Sequence, residues 1–397
     1  MTRPGDRDSE AVRPDTRLLL ACMRAFLDGR PLEHASLPSA GFDWPLFLRA
    51  VLFHRLLPVV HACLEPYRAE IADGVWEDLH DHFVRIAARN TSALEAAAEA
   101  AAGFDAAGIP IIMLRGPLLA ERLYGDVSMR QFSDVDLLVR RKDAITAMEL
   151  IGSLGYKAQF ELGPGQCAAL AYYHTERFFI KSAERLCVDL HWQMLPACFE
   201  WRREDEIWDV AESVDVEGQR YMVLGGDDET YLLCAHGVKH GWDQLGLVLD
   251  LAKQLKRCRE EDIERISRIA REAGKGAVVD LGLALTSDLL GVPDGGGGAE
   301  RLCELNKMAK ARLFREVQER NRGGGERKLV WRVLRRLSDR WRYIRDLVFT
   351  PSGLEIGVIA LPRAIWWGYY LLRLARLTVK HTVGRLVRRT PVRRASA

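Results

Sequence analysis

The stretch Asp134-Val135-Asp136-Leu137-Leu138-Val139-Arg140 decides how this chain is read. Its run of Val and Leu predicts a buried strand. Side chains alternate along a strand, so Asp134 and Asp136 point to one face. Two carboxylates side by side repel each other. A divalent cation relieves that repulsion, and Mg²⁺ prefers a few carboxylates together with substrate phosphates. An Asp-x-Asp pair alone is a weak signal, because acidic pairs are common on strand faces. Its surroundings sharpen it.

Upstream, Ile109 to Leu114 is a short apolar run closed by Arg115-Gly116-Pro117. It reads as a buried strand and a turn, followed by a short helix from Leu118 to Tyr124. Backbone N–H groups at such a turn can cradle phosphate where a helix begins. Arg115 and Gly116 are therefore candidate nucleotide contacts. Arg130 lies four residues before Asp134. It has three readings: a phosphate contact, a partner for Asp134 or Asp136, or an ion pair that orders its loop. Downstream, Val188-Asp189-Leu190-His191-Trp192 places a third carboxylate in another apolar strand. A carboxylate pair with a third on a neighbouring strand fits two-metal nucleotidyl transfer. Asp134, Asp136 and Asp189 are thus the candidate metal ligands and catalytic residues, with Mg²⁺ or Mn²⁺ as the expected ion. His191 is expected to turn to the opposite face from Asp189 if the strand is regular, and it reads as a structural histidine at least as readily as a site group.

The stretches Leu114–Tyr124 (LRGPLLAERLY), Arg130–Val139 (RQFSDVDLLV) and Val188–Trp192 (VDLHW) resemble the uncharacterised nucleotidyltransferase family of bacteria. That family belongs to the DNA polymerase β-like nucleotidyltransferase superfamily. Leu232–Trp242 (LLCAHGVKHGW), Leu247–Leu251 (LVLDL) and the region Tyr369–Arg376 also fit. The resemblance spans roughly Leu57 to Leu374, with specific motifs only between Leu114 and Asp250. It implies that Asp134 and Asp136 are the metal-binding pair, Asp189 the third carboxylate and Gly116 the glycine of the phosphate-side turn. The chain departs from the family at that turn, where Lys-Gly is usual and Arg115-Gly116-Pro117 stands instead. Arg is not equivalent to Lys, and Pro117 removes one backbone donor.

His236, Lys239 and His240 come at helical spacing, with the two histidines one turn apart on one face. They lack the Glu that follows the first His of a zinc-protease motif. They read either as structural helix-face groups or, with the resemblance, as groups that approach the nucleotide phosphates. Asp250, inside the apolar run Leu247–Leu251, is expected to pair with an Arg or His of the helical domain.

The expected fold class is α+β: a small mixed-sheet nucleotidyltransferase core between N-terminal helices and a C-terminal helical domain. Helices are predicted at Arg17–Asp28, Trp44–Leu57 and Ile71–Asp105, giving a helical region over 1–108. The α/β core is placed at 109–200, with a helix from Asp143 to Leu154 and further strands at Tyr156–Phe160, Arg177–Lys181 and Leu186–Trp192. A helical domain follows over 201–320, its first helix capped by Asp227 or Asp228. Helices at Gln244–Cys258, Glu261–Glu272 and Gly276–Leu290 precede Gly295–Gly298, a linker or long turn. A basic helical tail occupies 321–397.

The chain has 397 residues, 48% of them hydrophobic, which excludes disorder throughout. Its net charge of +2 hides a split: residues 321–397 hold 18 Lys and Arg against 4 acids, while the rest of the chain is acidic. Such a tail suits an anionic partner, a membrane surface or a solvated helical face. Eight cysteines without a CxxC pair suggest reduced core thiols and a cytoplasmic setting rather than a zinc ribbon. The N-terminus lacks the apolar stretch of a signal peptide. Ile356–Leu372, broken by Pro362 and Arg363, is shorter than the ~20 apolar residues a bilayer needs. Its aromatics fit an interfacial helix at the inner membrane surface or, preferably, a face packed on the body.

The expected activity is transfer of a nucleoside monophosphate from a nucleoside triphosphate to an acceptor the sequence does not identify. The alternative is a catalytically inactive member that binds nucleotide or a partner. No recognisable RNA-binding module supports a specific nucleic-acid partner.

Overall fold

The structure is a computed structural model that describes residues 13–181, 186–293, 303–314 and 325–389. The glycine run Gly295–Gly298 and both ends of the basic tail lie outside the described residues. Among those described, four helices come first: α1 (Pro14–Leu27), α2 (Trp44–Phe53), α3 (Leu57–Leu64) and α4 (Asp73–Ala106). Strand β1 (Ile111–Met113), helix α5 (Pro117–Tyr124) and strand β2 (Val135–Val139) follow. Then come α6 (Ala144–Ser153), β3 (Lys157–Ala158), α7 (Pro164–Tyr173), β4 (Glu176–Lys181) and β5 (Leu186–His191). After α8 (Glu204–Asp209), a hairpin of β6 (Glu212–Val216) and β7 (Gln219–Val223) leads to α9 (Gly226–Lys239). Helices α10 (Leu245–Leu255), α11 (Glu260–Glu272), α12 (Gly276–Leu290) and α13 (Cys303–Leu313) complete the helical part. The tail holds α14 (Gly325–Val333), α15 (Leu337–Ile344), α16 (Gly353–Val358) and α17 (Gly368–Arg389).

The strands form one mixed sheet in the order β3-β4-β5-β2-β1-β7-β6, which bears out the α+β class. β2 runs antiparallel to β1 and parallel to β5. The alternation in β2 divides the protein into two cores. Val135, Leu137 and Val139 join Val188 and Leu190 of β5 in a core with α6 and the later half of α4. Leu138 joins Ile112 and Leu114 in a larger core with α1, α3, α9, α10 and α12. Asp136 lies on the Leu138 face of the strand, and so on the helical side of the sheet.

The sheet extends beyond the expected limit of the α/β core. The hairpin β6–β7 pairs with β1 through Met113 and Val223, inside the stretch expected to be helical. Helix α9 starts at Gly226 after an N-cap at Gly225, so Asp227 and Asp228 occupy its first turn rather than its cap. The 34-residue α4 spans about 50 Å. It contributes Leu79 to the larger core and Phe104 to the smaller, so the N-terminal helices pack with the sheet rather than apart from it.

The tail is docked on the body at several places: Leu329, Val330 and Val333 of α14 join the larger core, and the carbonyls of Pro351 and Ile356 accept from His174 and Gln166. Lys275 and Asp339 form a buried ion pair at 2.5 Å that holds α15 against the start of α12. Within the tail the buried Tyr369 hydroxyl donates to the Ile359 carbonyl at 2.9 Å, and from the body the Tyr173 hydroxyl donates to the Trp366 carbonyl at 2.8 Å. Part of the aromatic face is therefore packed as expected. All eight cysteines are free. No helix among the described residues is long and apolar enough to cross a membrane.

Candidate active site

The site is built where β2 and β5 run side by side. Their register sets Asp136 directly beside Asp189. Asp134 precedes β2 on the same face. The turn between β1 and α5 closes over the strand: Gly116 has φ +72°, and a Cβ there would lie 2.5 Å from the Asp134 carbonyl oxygen. Only glycine lets the turn approach the strand this closely. Gly116→Ala combines a strained backbone with this clash. It should destabilise the protein by about 1–3 kcal/mol. By displacing Asp134 it should also lower turnover by about 10²-fold, read from a denaturation curve and a transfer assay.

Asp136 is almost fully buried, and the Arg115 guanidinium and the His191 ring flank it. Arg115 Nη2 donates to its Oδ1 at 2.9 Å, and His191 Nε2 lies 3.1 Å from the same oxygen. Burial alone would raise its pKa, but Arg115 and His191 outweigh burial and hold it well below the usual carboxylate range. Asp189 behaves oppositely. Burial pushes it up to about 6, with His191 only partly opposing and Glu176, Asp136 and Asp134 adding repulsion. Asp134 is raised by burial and by Asp136. Adjacent carboxylates thus hold different protonation tendencies, a pattern common at functional centres.

His191 is not turned away from Asp189. Residues two apart on a strand share a face, and His191 Nε2 lies 3.6 Å from Asp189 Oδ2. Its Nδ1 faces Glu176 Oε2 at 3.2 Å, and Lys239 Nζ stands 3.8 Å from the other Glu176 oxygen. On the far side, Arg115 Nη1 reaches His236 Nδ1 at 2.6 Å, and the rings of His236 and His240 lie 4.4 Å apart. Burial, with Arg115 next, depresses the His236 pKa strongly, so His236 is neutral at pH 7. A continuous polar chain therefore runs from α9 across the carboxylates and back to α9. It brings together Arg115, Asp136, Asp189, His236, Lys239 and His240.

Arg130 is placed differently. It makes a bidentate pair with Asp250 of α10, with Nη2 2.8 Å from Oδ2 and Nε 3.0 Å from Oδ1. Tyr124 donates to the same carboxylate at 2.7 Å, and Asn90 Nδ2 donates to the Arg130 carbonyl at 2.7 Å. The partner of Asp250 is thus an arginine of the strand-side loop, not of the helical domain. Arg130 faces neither Asp134 nor Asp136 as an ion-pair partner.

Sequence reasoning passed over four groups here: Glu176, His191 as a site group, Arg55 and Arg89. Arg55 sits at the corner between α2 and α3 with φ +57°, an uncommon backbone state for a non-glycine residue. It lines the cleft with Arg115, Gly116, Asp134, Asp136 and His236. Among the described residues no hydrogen bond or ion pair within 4 Å engages its guanidinium. Arg89 of α4 has its Nη2 buried without a hydrogen-bond partner, and its electrostatic neighbours are Asp134 and Cys187. Neither arginine lies in a recognisable motif; a positive-φ corner 79 residues before Asp134 leaves no local signal.

The residues fit a divalent cation. Ligand atoms of Asp136, Asp189 and His191 lie within 4.8 Å of one another, with Asp134 outside that set. Asp189 Oδ1 is buried without a hydrogen-bond partner, the state of an oxygen awaiting a ligand. Oxygen donors suit hard cations.

Carboxylates on adjacent strands thus face a glycine turn at the start of a helix on an α+β core. The family model of the uncharacterised nucleotidyltransferases matches residues 40–291, and the chain belongs to that family. Neither the curated proteins nor the solved structures hold a significant match.

Proposed function

We propose that the protein transfers a nucleoside monophosphate from a nucleoside triphosphate to an acceptor hydroxyl or similar group, with Asp134, Asp136 and Asp189 as its acidic centre. The observation that carries this reading is the register pairing of Asp136 with Asp189 beside the Gly116 turn. Mg²⁺ or Mn²⁺ bound by these carboxylates would offset phosphate charge and acidify the acceptor hydroxyl.

The chain's own groups do the rest. The cleft holds about 30 Å³, room for little more than a water, so nucleotide entry requires side chains to move. Arg115 is the group to move. It leaves Asp136 and pairs with phosphate oxygens, joined by Arg55 at the mouth. Gly116 lets the turn lie close against the strand. His236, neutral, and Lys239 and His240 face the triphosphate from α9. Asp189 accepts the proton of the acceptor hydroxyl through the carboxylate oxygen that the cation does not take. The acceptor oxygen then bonds to the α-phosphorus, the bond from the α-phosphorus to its bridging oxygen breaks, and pyrophosphate leaves.

The test supplies each of the four α-labelled nucleoside triphosphates with Mg²⁺ or Mn²⁺ and a panel of acceptors, or the protein alone. Labelled product with pyrophosphate release, abolished by a chelator, is expected. Saturable nucleotide binding without transfer to any acceptor would mark a non-catalytic nucleotide-binding member. Absence of both binding and transfer would overturn the reading.

A further inference from the structure

The first half of α17, residues 368–379, is built inside out. Residues advance by about 100° along a helix, so Leu371, Leu372, Leu374, Ala375, Thr378 and Val379 fall within one arc of about 160°. All six are exposed. The opposite arc carries buried Tyr369 and half-buried Arg373 and Arg376. Those arginines turn toward the protein and meet buried Glu355: Arg376 donates to it through Nε, and Arg373 Nη1 lies 3.6 Å away. An ordinary surface helix has the reverse polarity, with charges outward and leucines inward.

The apolar surface continues upstream of the helix, where Val358 is 82% exposed and Trp367 60%. Of the 20 large hydrophobic side chains exposed among the described residues, 12 fall between Leu337 and Val379. Such a concentration marks a surface that something covers.

Charge identifies the occupant. The segment 321–397 holds 18 Lys and Arg against 4 acids, and two of those acids, Asp339 and Glu355, are buried in ion pairs. A second copy of the chain would bring two strongly basic segments together. An anionic lipid surface meets both the leucines and the charge. We propose that the outer face of α17, with Val358 and Trp367, docks this protein on the surface of a bilayer containing anionic phospholipid. The helix lies in the interfacial plane, since it is not long and apolar enough to span. This proposal stands apart from the nucleotidyl-transfer reading.

The experiment is co-sedimentation of the full chain with phosphatidylcholine vesicles, with and without phosphatidylglycerol, at low and high salt. Phosphatidylglycerol should raise the bound fraction by about tenfold or more, and salt should reverse that gain. The double variant Leu371→Asp, Leu374→Asp should lose about tenfold in partitioning. Because both side chains are exposed, its circular dichroism and melting should match the wild type. Trp367→Ser, a milder change at an exposed site, should weaken binding in the same direction. Three results would overturn the proposal. One is a wild type indifferent to phosphatidylglycerol. Another is variants that bind as well as wild type. The third is a wild-type dimer, split by the double variant, that ignores vesicles.

Discussion

Asp136→Asn is expected to lower kcat/KM for nucleotidyl transfer by about 10³-fold or more, with the protein still folded. The size follows from what the carboxylate does. Loss of one preorganised group that stabilises transition-state charge costs about 10²–10³-fold, and loss of a metal-binding carboxylate adds the weakening of the cation's hold. Asparagine is the informative replacement, because its side-chain oxygen still accepts from Arg115 while the charge is gone. Alanine would instead leave Arg115 and His191 facing an empty, buried position and confuse a stability defect with a catalytic one. Transfer assays should be read beside a melting curve of the same sample. A variant that keeps more than a tenth of wild-type activity would remove Asp136 from the acidic centre. The outcome also bears on the Arg115 contact. If Arg115 stays on the substituted amide and fails to reach phosphate, KM for the triphosphate rises together with the fall in kcat.

The parts of this site that were legible in the sequence are those that local periodicity carries. Two aspartates two residues apart in an apolar run give the face they share, and a glycine between a strand and a helix gives a tight turn. The register of Asp136 against Asp189 is a tertiary fact, although both strands could be found. The expectation for His191 was mistaken: the same alternation places it with Asp189 rather than opposite it. The hairpin β6–β7 is less visible. Its turn is Glu217-Gly218, both with positive φ, where Asn-Gly or Asp-Gly would be the strong signal. Its strands also carry exposed polar residues that weaken the apolar pattern. Arg55 reaches the cleft, and Arg89 the neighbourhood of Asp134, only through packing of distant helices, while Glu176 arrives by the register of β4 against His191. The inverted polarity of α17 needs a structure to reveal which arc is covered, because its apolar arc reads from sequence as a core face.

Asp250→Ala is expected to destabilise the protein by about 3–5 kcal/mol, as measured by urea denaturation, because it strands a buried guanidinium. Both side chains of the Arg130–Asp250 pair are nearly buried, at 11% and 5% exposed. The carboxylate also accepts the Tyr124 hydroxyl, so its removal leaves two buried donors without their partner. The consequence extends to the site. Arg130 Nη1 lies 3.5 Å from the Gly116 carbonyl, and the Arg130 carbonyl is held by Asn90, so the pair braces the turn against β2 from the α10 side. The double variant Arg130→Met, Asp250→Leu separates charge from packing. It removes both ions and fills the space with apolar groups, and it should recover most of the lost stability. It also separates two roles for Arg130. A bracing arginine loses stability when Asp250 is removed, and the apolar pair restores turnover along with stability. A phosphate-binding arginine gives the opposite pattern: Asp250→Ala leaves the denaturation midpoint in place, and the double variant remains folded but shows a raised KM for the triphosphate. With the bidentate geometry at 2.8–3.0 Å and the Tyr124 contact, the first pattern is the expected one.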